Sequence, residues 1–408
     1  MRIIGMDIHR EFAEVVMMDG AELTHLGRVK MTRDNLAAFA VKLEATDHVV
    51  LESTGNTTAV VEILSPHVAR VAVANPLQVH LIAKAKTKTD KIDAGVLAKL
   101  YGAGFLPEVW TPDEATLARR RQVARRTQLV KHRVRPKAYV QSILHAHLVP
   151  RCPHADLFGG KGRTWLGVQQ LPDDERVSVE RHVAEYDRLS VALKDIERDI
   201  AKSALADGNV TRLMTIPGID MIVAVGVMAA IGRIDRFRSP DALVAYIGLN
   251  PSVFQSGDGP ARHGRITKRG RSHARFLLVE AAWQTVRSPG PLRAFYERVR
   301  GRRGNHIAAV AVARKLAVLV WHLLTKGEDY AWASPALMAR KRRSMELAAG
   351  MPSERGKKGA SADYNLPHRR RADRAGAELS EIAYRRMMEG WRRMSRQKSA
   401  GATTEERL

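Results

Sequence analysis

The chain has 408 residues, 45% hydrophobic and 27% charged, which is enough for two or three domains with cores of their own and too apolar for a disordered polymer. Its net charge of +24 attracts polyanions, suits a small sugar substrate poorly, and would make nucleic-acid binding strongly salt-dependent. The single cysteine, Cys152, excludes an internal disulfide and a cysteine-rich zinc site, and apolar runs such as 221–232 fall short of the roughly 20 residues of a membrane span, so no membrane partner is expected.

In chain order, RIIGMDI, AEVVMM and LTHLGRV alternate as three short strands separated by turn signals at HRE and DGAE, an antiparallel meander. The start lacks a signal peptide's apolar stretch, which makes the cytoplasm the expected compartment. Thr32 then caps a helix through DNLAAFAVKLEA, HVVLEST (48–54) is a buried strand, and NTTAVVEILSPH is a helix. RVAVANP (70–76) is a further strand, and DKIDAGVLAKLYGAG a helix stopped by glycines. Strands followed by alternating helix and strand predict a mixed α/β domain over 1–105, its later strands parallel.

At 111–114, TPDE offers an N-cap threonine, a first-turn proline and a capping-box glutamate, so a long helix should begin there. It is very basic from Arg119 to Lys137, where no acid interrupts it, and Pro136 should kink or end it. Beyond a Gly- and Pro-rich loop at 150–174, Tyr186, Leu189, Leu193, Ile196 and Ile200 recur at three- and four-residue steps, as in a short coiled-coil seam. Residues 106–205 therefore read as a long helical, coiled-coil middle or dimerisation arm. Residues 206–332 read as a mostly α domain, in which Arg314 and Lys315 mark the last apolar helix as packed rather than membrane-spanning. The composition of 333–408 shifts to Arg, Lys, Gly, Ser and Ala, a basic tail expected to be disordered or partly helical.

The acids Asp7, Glu52, Asp90 and Asp93 fall at a strand, a strand end and the first turn of a helix. Residues three apart on a helix share a face, so Asp90 and Asp93 can address one site, and hard divalent cations such as Mg²⁺ take oxygen ligands of this kind. Two such ions can activate a nucleophile and stabilise the leaving oxygen in phosphoryl transfer. The plainer alternative makes Asp90 an N-cap and Asp93 a dipole partner. A charge beside buried strand residues, as at Asp7 and Glu52, needs a reason and weighs against it.

The segments IGMDIH, LESTG, VANP and KTKTDKIDA, in this order and spacing, resemble the DEDD-type insertion-sequence transposases, whose N-terminal domain is a RuvC-like, RNase H-like nuclease. The resemblance implies that Asp7, Glu52, Asp90 and Asp93 ligate Mg²⁺ in a DNA strand-transfer centre. Lys86, Lys88 and Lys91 then face a nucleic-acid backbone rather than neutralise the aspartates.

A second block, YIGLNPSVFQSGDGPARHGRITKRGRSHAR (246–275), carries a serine beside a glycine and six Lys or Arg after Asp258. A serine can attack a phosphodiester where cations stabilise the transition state; as a turn residue, Ser256 would merely serve a solvated basic face. The block resembles the C-terminal domain of the same transposases on Gly248, Leu249, Pro251, Ser256, Gly257, Gly264, Ile266, Lys268, Gly270 and Arg275, which implies that Ser256 is the nucleophile of a phosphoserine link to DNA. The I-P-G-I turn around Gly218 resembles a helix-hairpin-helix and is a candidate phosphate contact. Arg119, Arg120, Arg121, Arg125, Arg126, Arg265, Lys268, Arg269, Arg271 and Arg275 are the candidate nucleic-acid-binding cations, while His9, His263 and His273 read as surface or DNA-facing residues rather than metal ligands.

The expectation is thus a Mg²⁺-dependent transposase or recombinase acting on the ends of its own element and on target DNA, in the cytoplasm at the nucleoid. The resemblance further implies a dimer or tetramer joined through the central helices, an acidic centre of one subunit facing the serine of another, and guidance by a structured RNA. A Holliday-junction-type nuclease using the acids alone, and a non-catalytic DNA-binding protein, are the alternatives.

Overall fold

Period-two alternation places successive side chains on opposite faces of a strand, and β1 (Arg2–Ile8), β2 (Phe12–Asp19) and β3 (Glu22–Lys30) form the expected antiparallel meander. The Thr32 hydroxyl accepts from the Asn35 amide to start α1 (Arg33–Ala40). Then come β4 (His48–Glu52), α2 (Thr57–Leu64), β5 (Arg70–Ala74), α3 (Pro76–Ile82) and α4 (Asp90–Gly102). The strand order is β3-β2-β1-β4-β5, with β4 parallel to β1 and β5 parallel to β4. These coordinates are a computed structural model describing residues 1–82, 89–257, 259–352 and 366–405, with side chains as far as residue 390. Lys86, Lys88 and Asp258 lie outside the described residues.

Both sheet faces are covered. Ile4, Met6, Ile8, Val49 and Leu51 pack against Leu36 and Ala40 of α1 and Val60 and Leu64 of α2. On the other face, Ile3, Val50, Ala72 and Ala74 pack against Leu97 and Ala98 of α4. Gly5 sets how close α4 comes, because a Cβ there would lie 2.0 Å from the Ala94 carbonyl oxygen. That contact is with backbone, which cannot swing aside.

The chain divides into two compact units, Met1–Asp113 and Glu114–Leu408. In the second, α5 (Glu114–Ala146) and α7 (Asp173–Leu205) pack along one another, with α6 (Gly160–Gly167) between them in sequence. Val140 and Leu144 of α5 meet Phe158, Leu166 and Val179. The long helix starts at Glu114 rather than at Thr111, and it runs through Pro136, which is buried, instead of ending there. Packing on both sides of the proline outweighs its missing N–H, a defect of about 3 kcal/mol in an isolated helix.

A larger core gathers α8 (Gly208–Met214), α9 (Met221–Ile231), α10 (Pro240–Ile247), α11 (Ser272–Thr285), α12 (Pro291–Arg303) and α13 (Asn305–Lys326) around Leu213, Val227, Leu243, Leu278 and Leu316. By length and composition α13 could cross a membrane, but its Ala308, Val312, Leu316 and Val320 belong to this core. Between α10 and α11 stands a hairpin of β6 (Pro251–Phe254) and β7 (Arg262–Ile266), which the sequence pattern did not predict.

The tail, expected to be disordered or partly helical over 333–408, contains two helices. Pro335–Ala348 forms α14 and Pro367–Glu405 forms α15, while 353–365 and 406–408 lie outside the described residues. Met345 reaches the large core, the Gly290 amide donates to Glu381 of α15 at 3.0 Å, and the Ala336 amide donates to Asp373 at 2.9 Å. The basic composition hid these anchors.

Candidate functional site

The first site lies at the end of the α4 face of the sheet. Ile3 and Gly5 face α4, so Asp7 two residues on faces it too, and the same alternation carries Val50 to Glu52. The parallel register pairs Met6 with Leu51, which sets Asp7 and Glu52 side by side on adjacent strands. Close packing at Gly5 lowers the first turn of α4 onto this row.

The helix is capped by Thr89, whose hydroxyl accepts from the Ile92 amide at 3.3 Å. Asp90 is therefore not the cap, and its carboxylate turns to the site: Asp90 Oδ2 lies 3.4 Å from His9 Nε2, which lies 3.2 Å from Asp7 Oδ2. The ligand atoms of Asp7, His9 and Asp90 all fall within 4.8 Å of one another, a spacing that could hold a metal ion. Asp93 is near enough for its charge to act on Asp7. Burial raises the Asp7 carboxyl above its ordinary value; His9 opposes the rise, and the negative charges of Asp93 and Asp90 reinforce it. Crowded carboxylates, one of them pushed up by burial and by its neighbours' charge, are the donor set a divalent cation would relieve. Glu52 and Asp93 are both half-buried and both engaged in polar contacts.

His9 is the residue that sequence reasoning assigned elsewhere. It follows Asp7 by two in the chain, one residue past the end of β1, and the available signal was that continuing the strand's alternation would put it on the face of Asp7.

Ser256 stands, exposed, between β6 and β7, next to Gly257 with φ +56°. The motif glycines have steric reasons. Gly248 ends α10 in the left-handed region, where a Cβ would lie 2.5 Å from the Arg269 carbonyl oxygen, and one at Gly270 would lie 2.2 Å from that of Tyr246. The Lys268 amide donates to the Gly248 carbonyl at 3.2 Å and the Arg271 amide to that of Tyr246 at 3.0 Å. The motif thus pins the basic segment 262–271 against the end of α10.

The candidate cations divide. Arg119 pairs with Asp207, Arg121 with Glu114 and Arg126 with Glu197, each at 2.5–2.8 Å, and Arg120 Nε donates to the Ala229 carbonyl at 2.8 Å. Arg125, Arg265, Lys268, Arg269 and Arg271 are exposed, and Arg275 donates to the Ile247 carbonyl at 2.9 Å. Gly218 adopts φ +84° and packs on α11, where a Cβ would lie 2.4 Å from Thr285 Oγ1. His273 lies 3.1 Å from Thr127 Oγ1, and His263 is exposed on β7.

Together these features define a mixed α/β domain with a carboxylate centre, followed in the chain by a basic, mainly helical unit. Residues 4–148 match the IS110-type DEDD family described as "Transposase", and residues 210–297 match the "Transposase IS116/IS110/IS902 family". Two transposase family models of the IS110/IS116 kind thus match separate stretches of the chain. It is 35% identical over 147 residues to the transposase for insertion sequence element IS1111A of Coxiella burnetii, covering 34% of this chain and 39% of that one. A Sinorhizobium fredii protein bearing a transposase name is 32% identical over 208 residues, half of this chain and 49% of the other, so the match spans less than half the length of these two relatives. The pilin gene-inverting protein of Moraxella bovis is 26% identical over 301 residues, 70% of this chain and 82% of that protein.

Proposed function

We propose that the protein is a DNA transposase or recombinase that cuts and rejoins the ends of its own insertion sequence. The observation that carries this reading is the meeting of Asp7, His9 and Asp90 at the end of the sheet, with Asp93 in electrostatic reach, in a chain that two transposase family models match. The β3-β2-β1-β4-β5 order, with its antiparallel first three strands and parallel β4 and β5, supports an RNase H-like domain. Asp7, Glu52, Asp90 and Asp93 would hold Mg²⁺, which when bound polarises phosphoryl oxygens and stabilises the leaving oxygen. His9 occupies the place of a cation between Asp7 and Asp90 and would turn aside on metal binding.

Ser256 serves as nucleophile. Its Oγ forms a bond to phosphorus as the phosphodiester bond to the departing strand breaks, and the serine proton ends on the departing oxygen as a free hydroxyl. Attack by a hydroxyl of another strand end reverses the step, rejoins DNA and frees Ser256. The exposed Arg265, Lys268 and Arg269 follow Ser256 along the chain and would neutralise the phosphate. Assembly as a dimer or tetramer, an RNA guide and a cytoplasmic, nucleoid site of action belong to the same proposal.

The test is to incubate the protein, a transcript of the element's non-coding flank and end-labelled junction DNA with Mg²⁺, then to resolve products under denaturing conditions. A DNA-linked protein band that Ser256→Ala abolishes is expected. Recombination by Ser256→Ala at the wild-type rate overturns the serine assignment. Mg²⁺-dependent cutting with no linked band from the wild type points to the metal-only junction nuclease.

A further inference from the structure

A cavity of about 790 Å³ opens beside α5, α9 and the start of α11, within the range of roughly 300–1,000 Å³ found for small-ligand sites. Its wall has two chemistries. Its positive lining is Arg120, Lys131 and Arg271, its apolar lining includes Val123, Ala230 and Phe276, and none of the described lining residues is acidic.

The positive lining is crowded. Arg271 Nε donates to Tyr246 Oη at 2.8 Å, and the Arg236 guanidinium lies 4.3 Å from the centre of the same ring. Tyr246 Oη and Arg120 both donate to the Ala230 carbonyl, at 3.1 and 3.2 Å. Burial pushes the Arg120 guanidinium below its ordinary value, and the charges of Arg271 and then Arg236 push the same way. Cations gathered against carbonyl and phenol oxygens repel one another, and an anion on Arg271 would relieve that repulsion.

The apolar lining offers a ring. Phe276 is 57% exposed although α11 buries Ala274, Leu277 and Leu278 around it, and the His273 imidazole lies 6.5 Å away at an interplanar angle of 26°. An exposed aromatic face beside cations is the arrangement that takes a base and its phosphate together. A nucleic-acid strand suits it better than a free nucleotide, because exposed Lys268 and Arg269 directly precede Gly270 and Arg271 of the wall and continue the positive path.

We propose that this cavity receives one unpaired nucleotide of a nucleic-acid strand, with its phosphate on Arg271 and Lys131 and its base against Phe276. The proposal rests on the nucleic-acid-binding part of the proposed function and on none of its strand-cutting part.

Fluorescence anisotropy in EDTA, where no metal-dependent cutting occurs, tests it on the full chain with labelled oligothymidylate, oligouridylate and an abasic DNA strand of the same length. Phe276→Ala should weaken binding of a base-bearing strand about tenfold and leave the abasic strand unchanged. A loss on either base-bearing strand supports the pocket, and the strand that suffers it identifies DNA or RNA as the occupant. Lys131→Ala, a separate surface change, should weaken all three and lower the slope of log K against log salt by about one. The proposal is overturned if Phe276→Ala leaves both base-bearing strands bound as by the wild type, or if Lys131→Ala leaves the salt slope unchanged. Because no cutting is measured, a protein that shows these losses but never cleaves DNA would count against the transposase reading and leave the pocket standing.

Discussion

Asp7 carries two opposed demands. Its side chain is only 17% exposed, and burial with the nearby charges of Asp93 and Asp90 lifts its carboxyl above the ordinary value. A raised folded-state value means that the native chain binds a proton more readily than the unfolded one. Stability is therefore lost as pH rises from the ordinary carboxylate range through the raised value, and at neutral pH the ionised group is a burden in the metal-free chain. Asp7→Asn should accordingly raise the thermal midpoint in EDTA while lowering Mg²⁺-dependent cutting at least about a hundredfold, the upper end of what losing even a supporting partner of a metal ligand costs. Scanning calorimetry and a cleavage assay on the same preparation check both halves; a variant no more stable than wild type in EDTA would contradict the rise that burial and the neighbouring charges give Asp7. At this scale the sequence marked the acids as candidates and read His9 as a surface or DNA-facing residue, whereas the structure sets His9 between Asp7 and Asp90. Its partner Asp90 belongs to another element, and only the close approach of α4 to β1 reveals the contact. The D-x-x-D ambiguity was resolved by a neighbour, since Thr89 takes the cap and leaves Asp90 to the site.

Among elements, two junctions decide how the functional residues are held. The first is β1 against α4 at Gly5, where a methyl group would meet the Ala94 carbonyl oxygen with nothing to yield. Gly5→Ala should destabilise the protein by about 1–3 kcal/mol and, by lifting Asp90 and Asp93 off Asp7, raise the Mg²⁺ concentration needed for half-maximal activity; urea melts and a Mg²⁺ titration measure the two effects. The second is α14 against the I-P-G-I turn, where Lys341 Nζ donates to the Met214 and Ile216 carbonyls at 2.6 and 2.9 Å. Burial pushes Lys341 down to about 8, and Arg340 pushes the same way against Asp220. Between about pH 8 and the ordinary value of 10.5 the unfolded chain binds more protons than the folded one, so stability rises with pH across that window. Lys341→Met should remove that rise and, by orphaning two carbonyls, cost about 1–3 kcal/mol below pH 8. Thermal melts from pH 7 to 10.5 read both, and a variant that keeps the rise would assign it to another group. The regular elements of the first unit were readable because alternation and caps agree there. The course of the helix through Pro136, the β6–β7 hairpin and the anchoring of the tail helices were not, because each depends on distant packing: α7 beside α5, the end of α10 beneath 267–271, and Gly290 against Glu381.

For the whole molecule, net charge is the dominant fact. That charge already counts the acids paired with Arg119, Arg121 and Arg126, and Arg125, Arg265, Lys268, Arg269 and Arg271 are among the exposed cations that a polyanion could meet. Binding to duplex DNA of arbitrary sequence should fall about 10³-fold or more between 50 and 200 mM salt, the loss produced by roughly six phosphate contacts or more; filter binding across that range measures it, and a flat response would remove electrostatics from the account. Composition raised the expectation of a polyanion partner but not which cations would face it, since pairing with Asp207 or Glu197 is a tertiary event.

The most direct test of the central claim, that the acidic cluster is a metal centre for cutting DNA, is cleavage of element-end DNA by wild type and Asp90→Asn over a Mg²⁺ titration. The account predicts cutting that rises with Mg²⁺ in the wild type and is absent from Asp90→Asn at every concentration, with both proteins folded alike. Cutting by Asp90→Asn at the wild-type rate and with the same Mg²⁺ dependence would contradict it.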